Sequence, residues 1–210
     1  MGRAAAARKI KVSYYDPKDF TRDKYGRVDR RPYGGGPGMV LEPEGILRAT
    51  DRAFRKALGR SYQGLASISR RGLDKAGVEV IFFSTDGKQF DEPMAQKLSK
   101  KKDIVFICGH YEGVDERVVK ILKAKKVSMG PYVLTGGELP AATVVDAVAR
   151  FVPGVLGKAE SLERSRVSSP EVYTRPEVLV WKGKKYHVPK VLLTGHHAKI
   201  EEWKKRNGKD

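Results

Sequence analysis

The chain is 210 residues long and 40% hydrophobic, with 42 Lys+Arg against 25 Asp+Glu and a formal net charge of +17. That length suits one domain, or one with a small appendage, and the apolar content is too high for a disordered chain. No run approaches the roughly 18 to 20 apolar residues that span a bilayer, the N-terminus lacks the apolar stretch of a secretory signal, and position 6 lacks the Ser or Thr of a myristoylation site.

The single cysteine, Cys108, excludes an intrachain disulfide framework and fits a reducing, cytoplasmic setting. Charge gathers at the ends. Residues 1–31 hold 10 Lys/Arg and 4 Asp/Glu, and residues 181–210 hold 9 and 3. A polyanion such as RNA is the natural partner for ends of this kind, because neutralising phosphates releases counterions.

In chain order, Ile10–Tyr15 alternates and predicts a strand. Asp16 to Gly38 is rich in Gly, Pro, Asp and Arg and reads as a long loop. The apolar set Ile46, Leu47, Ala53, Phe54, Ala57 and Leu58 predicts a helix from Pro43 to Leu58, stopped by Gly59. Val78–Phe83 and Ile104–Cys108 are near-continuous apolar runs, each followed by a glycine turn: Ser84-Thr85-Asp86-Gly87 and Gly109 to Gly113. Helices are expected over about Glu92–Ser99 and Val114–Lys123. Val127–Leu134 reads as a short strand or extended loop, and a helix then opens with Pro140 in its first turn and ends at Pro153-Gly154. Gly157 to Pro170 reads as a polar, flexible segment, Val191–Thr194 as a last short strand, and His197–Lys205 as a basic helix. Buried strands alternating with helices predict an α/β fold, a parallel sheet with helices on both faces, and a ligand at the loops beyond the strand C-termini.

Several chemistries are excluded. No glycine loop leads into Gly-Lys-Ser/Thr, no G-x-G-x-x-G opens a helix, and no serine elbow accompanies the four histidines. His196 and His197 are adjacent and Cys108 with His110 is a lone pair, so no metal site is assigned. Cys108, at the end of an apolar strand, reads as a buried inert thiol.

The longer strings are more specific. Arg31 to Met39, Gly109 to Val118, Tyr132 to Ala141, Arg150 to Gly157, Tyr173 to Glu177, and Val188-Pro189 leading to Leu192 through Ala198 together resemble the bacterial tRNA (guanine-N1)-methyltransferase family, TrmD. The resemblance runs over about residues 2–206 in the family's order. It implies the SPOUT methyltransferase class, whose parallel α/β sheet carries a deep C-terminal trefoil knot that no hydrophobic pattern reveals. It further implies a homodimer with active sites at the subunit interface, and transfer of a methyl group from S-adenosylmethionine to N1 of the guanosine 3′-adjacent to the tRNA anticodon (position 37). By this likeness residues 1–157 form the donor-binding domain, 158–172 an active-site linker, and 173–210 the start of a C-terminal tRNA-binding region. The chain begins inside the family's pattern, without its first strand, and stops soon after Trp203.

Carried onto matching positions, the donor site comprises Phe82, Ser84 and Gly87, then Gly109 and Glu112, then Met129, Gly130, Pro131, Tyr132, Val133, Leu134, Gly136, Gly137 and Pro140. Backbone groups of Met129, Gly130, Tyr132 and Leu134 would hold the adenine, and Glu112 would pair with the ammonium of the methionine moiety. Asp29, Arg31 and Tyr111 match positions near the target nucleotide. Arg150 matches the arginine that stabilises charge on guanine O6. The family's general base is an aspartate, and here Arg164 stands at its position; Glu163, one residue away, is the substitute. Arg30 replaces an expected acidic residue. Family members use Mg²⁺, but the sequence offers no assured ligand set for it. Two other readings stay open: a non-catalytic RNA-binding SPOUT homologue, and a SPOUT enzyme acting on a different RNA.

Overall fold

The computed structural model describes residues 9–155 and 171–206. They fall into two compact units divided after Val155.

The first unit is built on a three-stranded parallel sheet. β3 (Val78–Gln89) lies between β4 (Asp103–Ile107) and β5 (Lys125–Ser128), in the order β4-β3-β5. Val78 stands opposite Asp103 and Phe82 opposite Ile107 on one side; Ile81 stands opposite Lys125 on the other. A two-residue ribbon, β1 (Asp29–Arg30) with β2 (Val40–Leu41), adjoins this sheet through a parallel bridge between Leu41 and Val114. The helices are α1 (Pro43–Leu58), α2 (Arg70–Ala76), α3 (Glu92–Leu98), α4 (Glu116–Leu122) and α5 (Glu138–Ala149).

The first half of β3 shows why Val78–Phe83 is nearly continuously apolar. Side chains alternate across a strand, and both faces are covered. Val78, Val80 and Phe82 enter a core with Ile46 and Phe54 of α1, Leu73 of α2, and Val118, Val119 and Leu122 of α4. Ile81 enters a second core with Ala95 and Leu98 of α3, Val127 of β5, and Val144 and Val148 of α5. Phe83 stacks on Phe106 beside it, with ring centroids 5.8 Å apart. Helices on both faces of a parallel sheet are therefore present, as the hydrophobic runs predict. One polar residue interrupts the Val78–Phe83 part of β3: Glu79, 2% exposed, accepts hydrogen bonds from Arg70 and from Lys125 Nζ at 2.8 Å. A buried carboxylate needs such partners.

The helix termini follow local rules. Pro43 begins α1 where its missing N–H costs nothing. Ser69, Asp91 and Asp115 cap α2, α3 and α4 by accepting from backbone N–H groups. Gly77 ends α2 in the left-handed region at φ +71°.

In the second unit, β6 (Val178–Trp181) and β7 (Lys184–His187) form an antiparallel hairpin. Its two-residue turn, Lys182-Gly183, has positive φ at both positions, the geometry that matches strand twist. Two helices follow, α6 (Lys190–Leu193) and α7 (His197–Arg206). Tyr173 meets Trp203 edge to face at 6.3 Å.

Two sequence expectations are corrected. Ile10–Tyr15 joins no ladder among the described residues, with Tyr14 almost wholly exposed; alternation alone makes no strand, which also needs a partner. Val191–Thr194 is not a strand: Pro189 caps a short helix there, Leu192 N donates to Pro189 O at 2.9 Å, and Gly195 turns the chain at φ +70°. The loop from Asp16 to Gly38 is more ordered than its composition predicts. Asp23 accepts from the backbone N–H of Tyr25 and Arg27, which holds its carboxyl below the usual range, and β1 pairs with β2. The Gly157 to Pro170 segment lies outside the described residues. No described helix is long and apolar enough to cross a membrane.

Phe54 is fully buried and packs edge to face on Tyr62 at 5.8 Å. Phe54→Ala is expected to lower the unfolding free energy by about 3–5 kcal/mol, measured by urea denaturation followed by far-UV circular dichroism.

Candidate functional site

Three parallel strands send their following segments to the same edge of the sheet, where ligands bind in open α/β folds. The first segment interrupts β3 itself. Phe83 and Lys88 both stand opposite Val127, so Ser84–Gly87 leave the ladder. Gly87 brings the strand back: a Cβ there would stand 2.5 Å from the backbone carbon of Lys126 and the nitrogen of Val127. Ser84 donates to Asp86, which also accepts from Lys126 Nζ at 3.1 Å, and the two together hold the Asp86 carboxyl below its ordinary range.

The second segment, Cys108 to Asp115, is tied to the ribbon. Glu112 N donates to Met39 O at 3.0 Å, Leu41 N to Gly113 O at 3.0 Å, and Asp115 N to Leu41 O at 3.1 Å. The Glu112 side chain lies against Gly38, where a Cβ would be 2.5 Å from Oε1. Asp29 pairs with Leu41 and Arg30 with Val40, so the ribbon strand that carries Asp29 and leads into Arg31 lies next to the segment bonded to Glu112, Gly113 and Asp115. Tyr111, at φ +59°, is mostly exposed. Arg30 is engaged by Glu42 at 2.7 Å and faces Asp23 at 3.8 Å, so its positive charge is locally balanced.

The third segment runs from Met129 to Gly137. Ser128 Oγ donates to Gly130 O at 3.0 Å and accepts from Gly130 N at 3.2 Å, and Tyr132 OH donates to Met129 O. The Tyr132 ring covers Gly130, whose Cβ would meet it at 2.4 Å. The segment then docks on the second one. Gly137 N donates to Gly109 O at 3.0 Å, and His110 bridges Gly136. A Cβ on Gly137 would stand 2.5 Å from Cys108 Cα. Phe82 lies below: a Cβ on Gly109 would be 3.4 Å from its ring and 3.1 Å from Val114.

Thus the structure brings Phe82, Gly109, Gly136 and Gly137 into one cluster, with Met129 to Leu134 leading into it and Pro140 buried at the start of α5. Val133 is 86% exposed, and Pro131, Tyr132, Leu134 and Leu139 are exposed as well. Arg150 is elsewhere on the chain: it caps the C-terminal end of α5, about 18 Å along the helix from Glu138. Glu163 and Arg164 lie outside the described residues. No motif in the sequence signals one pair, His110 with Glu138, whose Nε2 and Oε1 are 2.7 Å apart. Twenty-eight residues separate them, and only the docking of the third segment brings them together. Among the described residues no three His, Cys, Asp or Glu side chains gather as metal ligands do.

The family model described as "tRNA (Guanine-1)-methyltransferase TrmD" matches residues 1–210. Proteins named tRNA (guanine-N(1)-)-methyltransferase are similar over nearly the whole chain. That of Lachnoclostridium phytofermentans is 40% identical, across 98% of this chain and 78% of its own length. That of Mannheimia succiniciproducens is 41% identical, across 97% and 73%, and that of Haemophilus influenzae Rd is 41% identical, across 97% and 76%.

Burial, with the charge of Glu138 beside it, pushes the Cys108 thiol up to about 11. Alkylation by iodoacetamide at pH 8 is therefore expected to run at least about tenfold slower than with a free cysteine, because the thiolate is the reactive form. Gly137→Ala is expected to cost about 1–3 kcal/mol through forced overpacking against the Cys108 backbone, read as a lowered melting temperature.

Proposed function

The chain belongs to the tRNA (guanine-1)-methyltransferase TrmD family, and from that membership we propose that it methylates N1 of the guanosine 3′-adjacent to the anticodon, position 37, with S-adenosylmethionine as donor. The observation that carries this reading is the docking of Gly137 on Gly109 and Cys108. There the glycines let the segments close on one another at the sheet edge, since a Cβ on Gly137, Gly136 or Gly109 would meet Cys108, His110 or Val114, and their bare backbone N–H and C=O groups form the cradle offered to the donor.

The donor supplies an electrophilic methyl carbon on a sulfonium sulfur. The rest is done by the chain. Backbone groups of Gly109, Met129, Gly130, Tyr132 and Leu134 hold the adenine, with Phe82, Ser84, Gly87, Pro131, Val133, Gly136 and Pro140 shaping the walls. Glu112 meets the ammonium from its place between the second segment and Gly38. Asp29, Arg31 and Tyr111 flank the target base. Guanine N1 carries a proton at neutral pH, so a base must take it as the N–C bond forms. Glu163 is that base, since Arg164 keeps its own proton. Arg150 donates to guanine O6, where negative charge develops.

The length of α5 separates Arg150 from the cradle of its own chain, so Arg150 serves the partner subunit's pocket in a homodimer. The exposed apolar face of Tyr132, Val133, Leu134 and Leu139 is the surface such a partner covers. In the same reading the chain after β5 forms the trefoil knot, the protein is cytoplasmic, and residues 173–210 contact tRNA. The hairpin suits that contact, with Trp181 and Tyr186 exposed among Lys182, Lys184 and Lys185. No step is assigned to Mg²⁺.

Tritiated-methyl transfer to a tRNA with guanosine beside the anticodon, compared with one carrying adenosine there, tests the reaction. Incorporation into the first alone is expected. Incorporation into neither, with donor binding intact by calorimetry, identifies a non-catalytic homologue, and incorporation into both identifies a different RNA target. Arg150→Ala is expected to lower kcat by about 10²–10³ while leaving donor affinity unchanged, and Glu163→Gln to abolish turnover; wild-type rates in either variant remove that residue from the mechanism.

A further inference from the structure

Away from the glycine cradle, α1 carries a cluster of cations that the reaction does not use. Arg52, Arg55 and Lys56 are spaced i, i+3, i+4, which places them on one face of the helix, turned away from Ile46, Ala49, Thr50 and Phe54 in the core. All three are exposed, and together they line an open cleft of about 270 Å³. It lies about 14–20 Å along α1 from Pro43, where the helix leaves the ribbon that bears Asp29 and Arg31.

Two of the three are held in place. Asp51 accepts from Arg55 Nε at 2.8 Å and from Tyr62 OH at 2.7 Å, while the Arg55 guanidinium lies 5.6 Å from the Tyr62 ring centroid. Burial and the neighbouring Asp51 raise the Tyr62 hydroxyl, so it stays a neutral donor. Lys56 Nζ donates to Ser13 Oγ at 3.1 Å. Arg52 makes no ion pair among the described residues. The helix dipole favours cations in a last turn, which accounts for the choice of Arg55 and Lys56. It does not account for Arg52, a turn earlier, nor for the tethering of its neighbours around a shared cleft.

We propose that this cleft on α1 is a second RNA contact, in which Arg52, Arg55 and Lys56 bind the phosphodiester backbone of the tRNA whose guanosine occupies the cradle. The described residues that line the cleft are all cations, and none of these three is an aromatic platform or an amide that reads a base edge, so they position RNA without regard to sequence. This rests on tRNA being the substrate, and its test reads binding rather than turnover so that the two can fail separately.

The experiment is filter binding of unmodified tRNA to the full chain over a range of KCl concentrations, for wild type and for the double variant Arg52→Gln/Lys56→Gln. Each lost phosphate contact flattens the plot of log Kd against log salt by roughly 0.7–0.9, so the double variant is expected to flatten it by about 1.5. The same two contacts predict affinity weaker by about tenfold or more at low salt. The melting temperature and donor affinity stay at wild-type values, and KM for tRNA rises while kcat holds. The charge-keeping variant Arg52→Lys/Lys56→Arg retains the wild-type slope. An unchanged slope and Kd in the glutamine variant overturn the proposal, even if wild type methylates tRNA normally. A flattened slope with no methyl transfer by wild type upholds the RNA contact and rejects the proposed reaction.

Discussion

The contact of Gly137 with the backbone of Cys108 and Gly109 is the constraint on which the site depends. Its N–H closes on Gly109 O, and no side chain fits at Gly137 because Cys108 Cα is already there. This one approach fixes where α5 begins, sets Glu138 against His110, and stretches Met129 to Gly136 across the sheet edge. The parallel sheet supplies the other half of the arrangement. With β3 central and both neighbours parallel to it, all three glycine-bearing segments leave from the same edge.

That edge is stable because the sheet beneath it is covered on both faces. β3 divides its residues between two cores, which makes its position hard to shift, since a slip by one residue would exchange the two faces. Glu79 fits the same scheme at the opposite end of the strand, where Arg70, Lys125 and Lys101 surround it. Rigid strands with bent, side-chain-poor exits suit a reaction whose main demand is alignment of a methyl carbon with a ring nitrogen. In the proposed reading the basic surfaces act over a longer range: charge on α1 and on the second unit's hairpin would draw a polyanion, while the cradle would select the atom.

Much of this architecture was legible in the sequence, for physical reasons that differ by element. Pro43 to Leu58 was readable at both ends because Pro and Gly bracket a 3.6-residue apolar repeat. Val78–Phe83 and Ile104–Cys108 were readable as strands because burial on both faces leaves them almost wholly apolar, with Glu79 the exception. The continuation of β3 to Gln89 was not, because Ser84–Gly87 look like a turn and only the neighbouring Lys126 and Val127 draw the chain back. The β6–β7 hairpin was missed because Lys182-Gly183 lacks the usual Asn-Gly or Asp-Gly signal, and its strands are exposed on both sides and so show no alternation. At the site, the glycines were legible as turns; their assignment to a donor pocket comes from the family resemblance and is part of the proposal. The pairing of His110 with Glu138 was not legible, because it depends on a fold that brings distant segments together.

The most direct test of the cradle is backbone hydrogen exchange by mass spectrometry on the full chain, with and without S-adenosylmethionine. Slowed exchange in residues 109–113 and 129–137, with smaller slowing around 84–87, is the result that three docked segments predict. Donor binding that leaves those amides unprotected and slows exchange elsewhere would contradict the account.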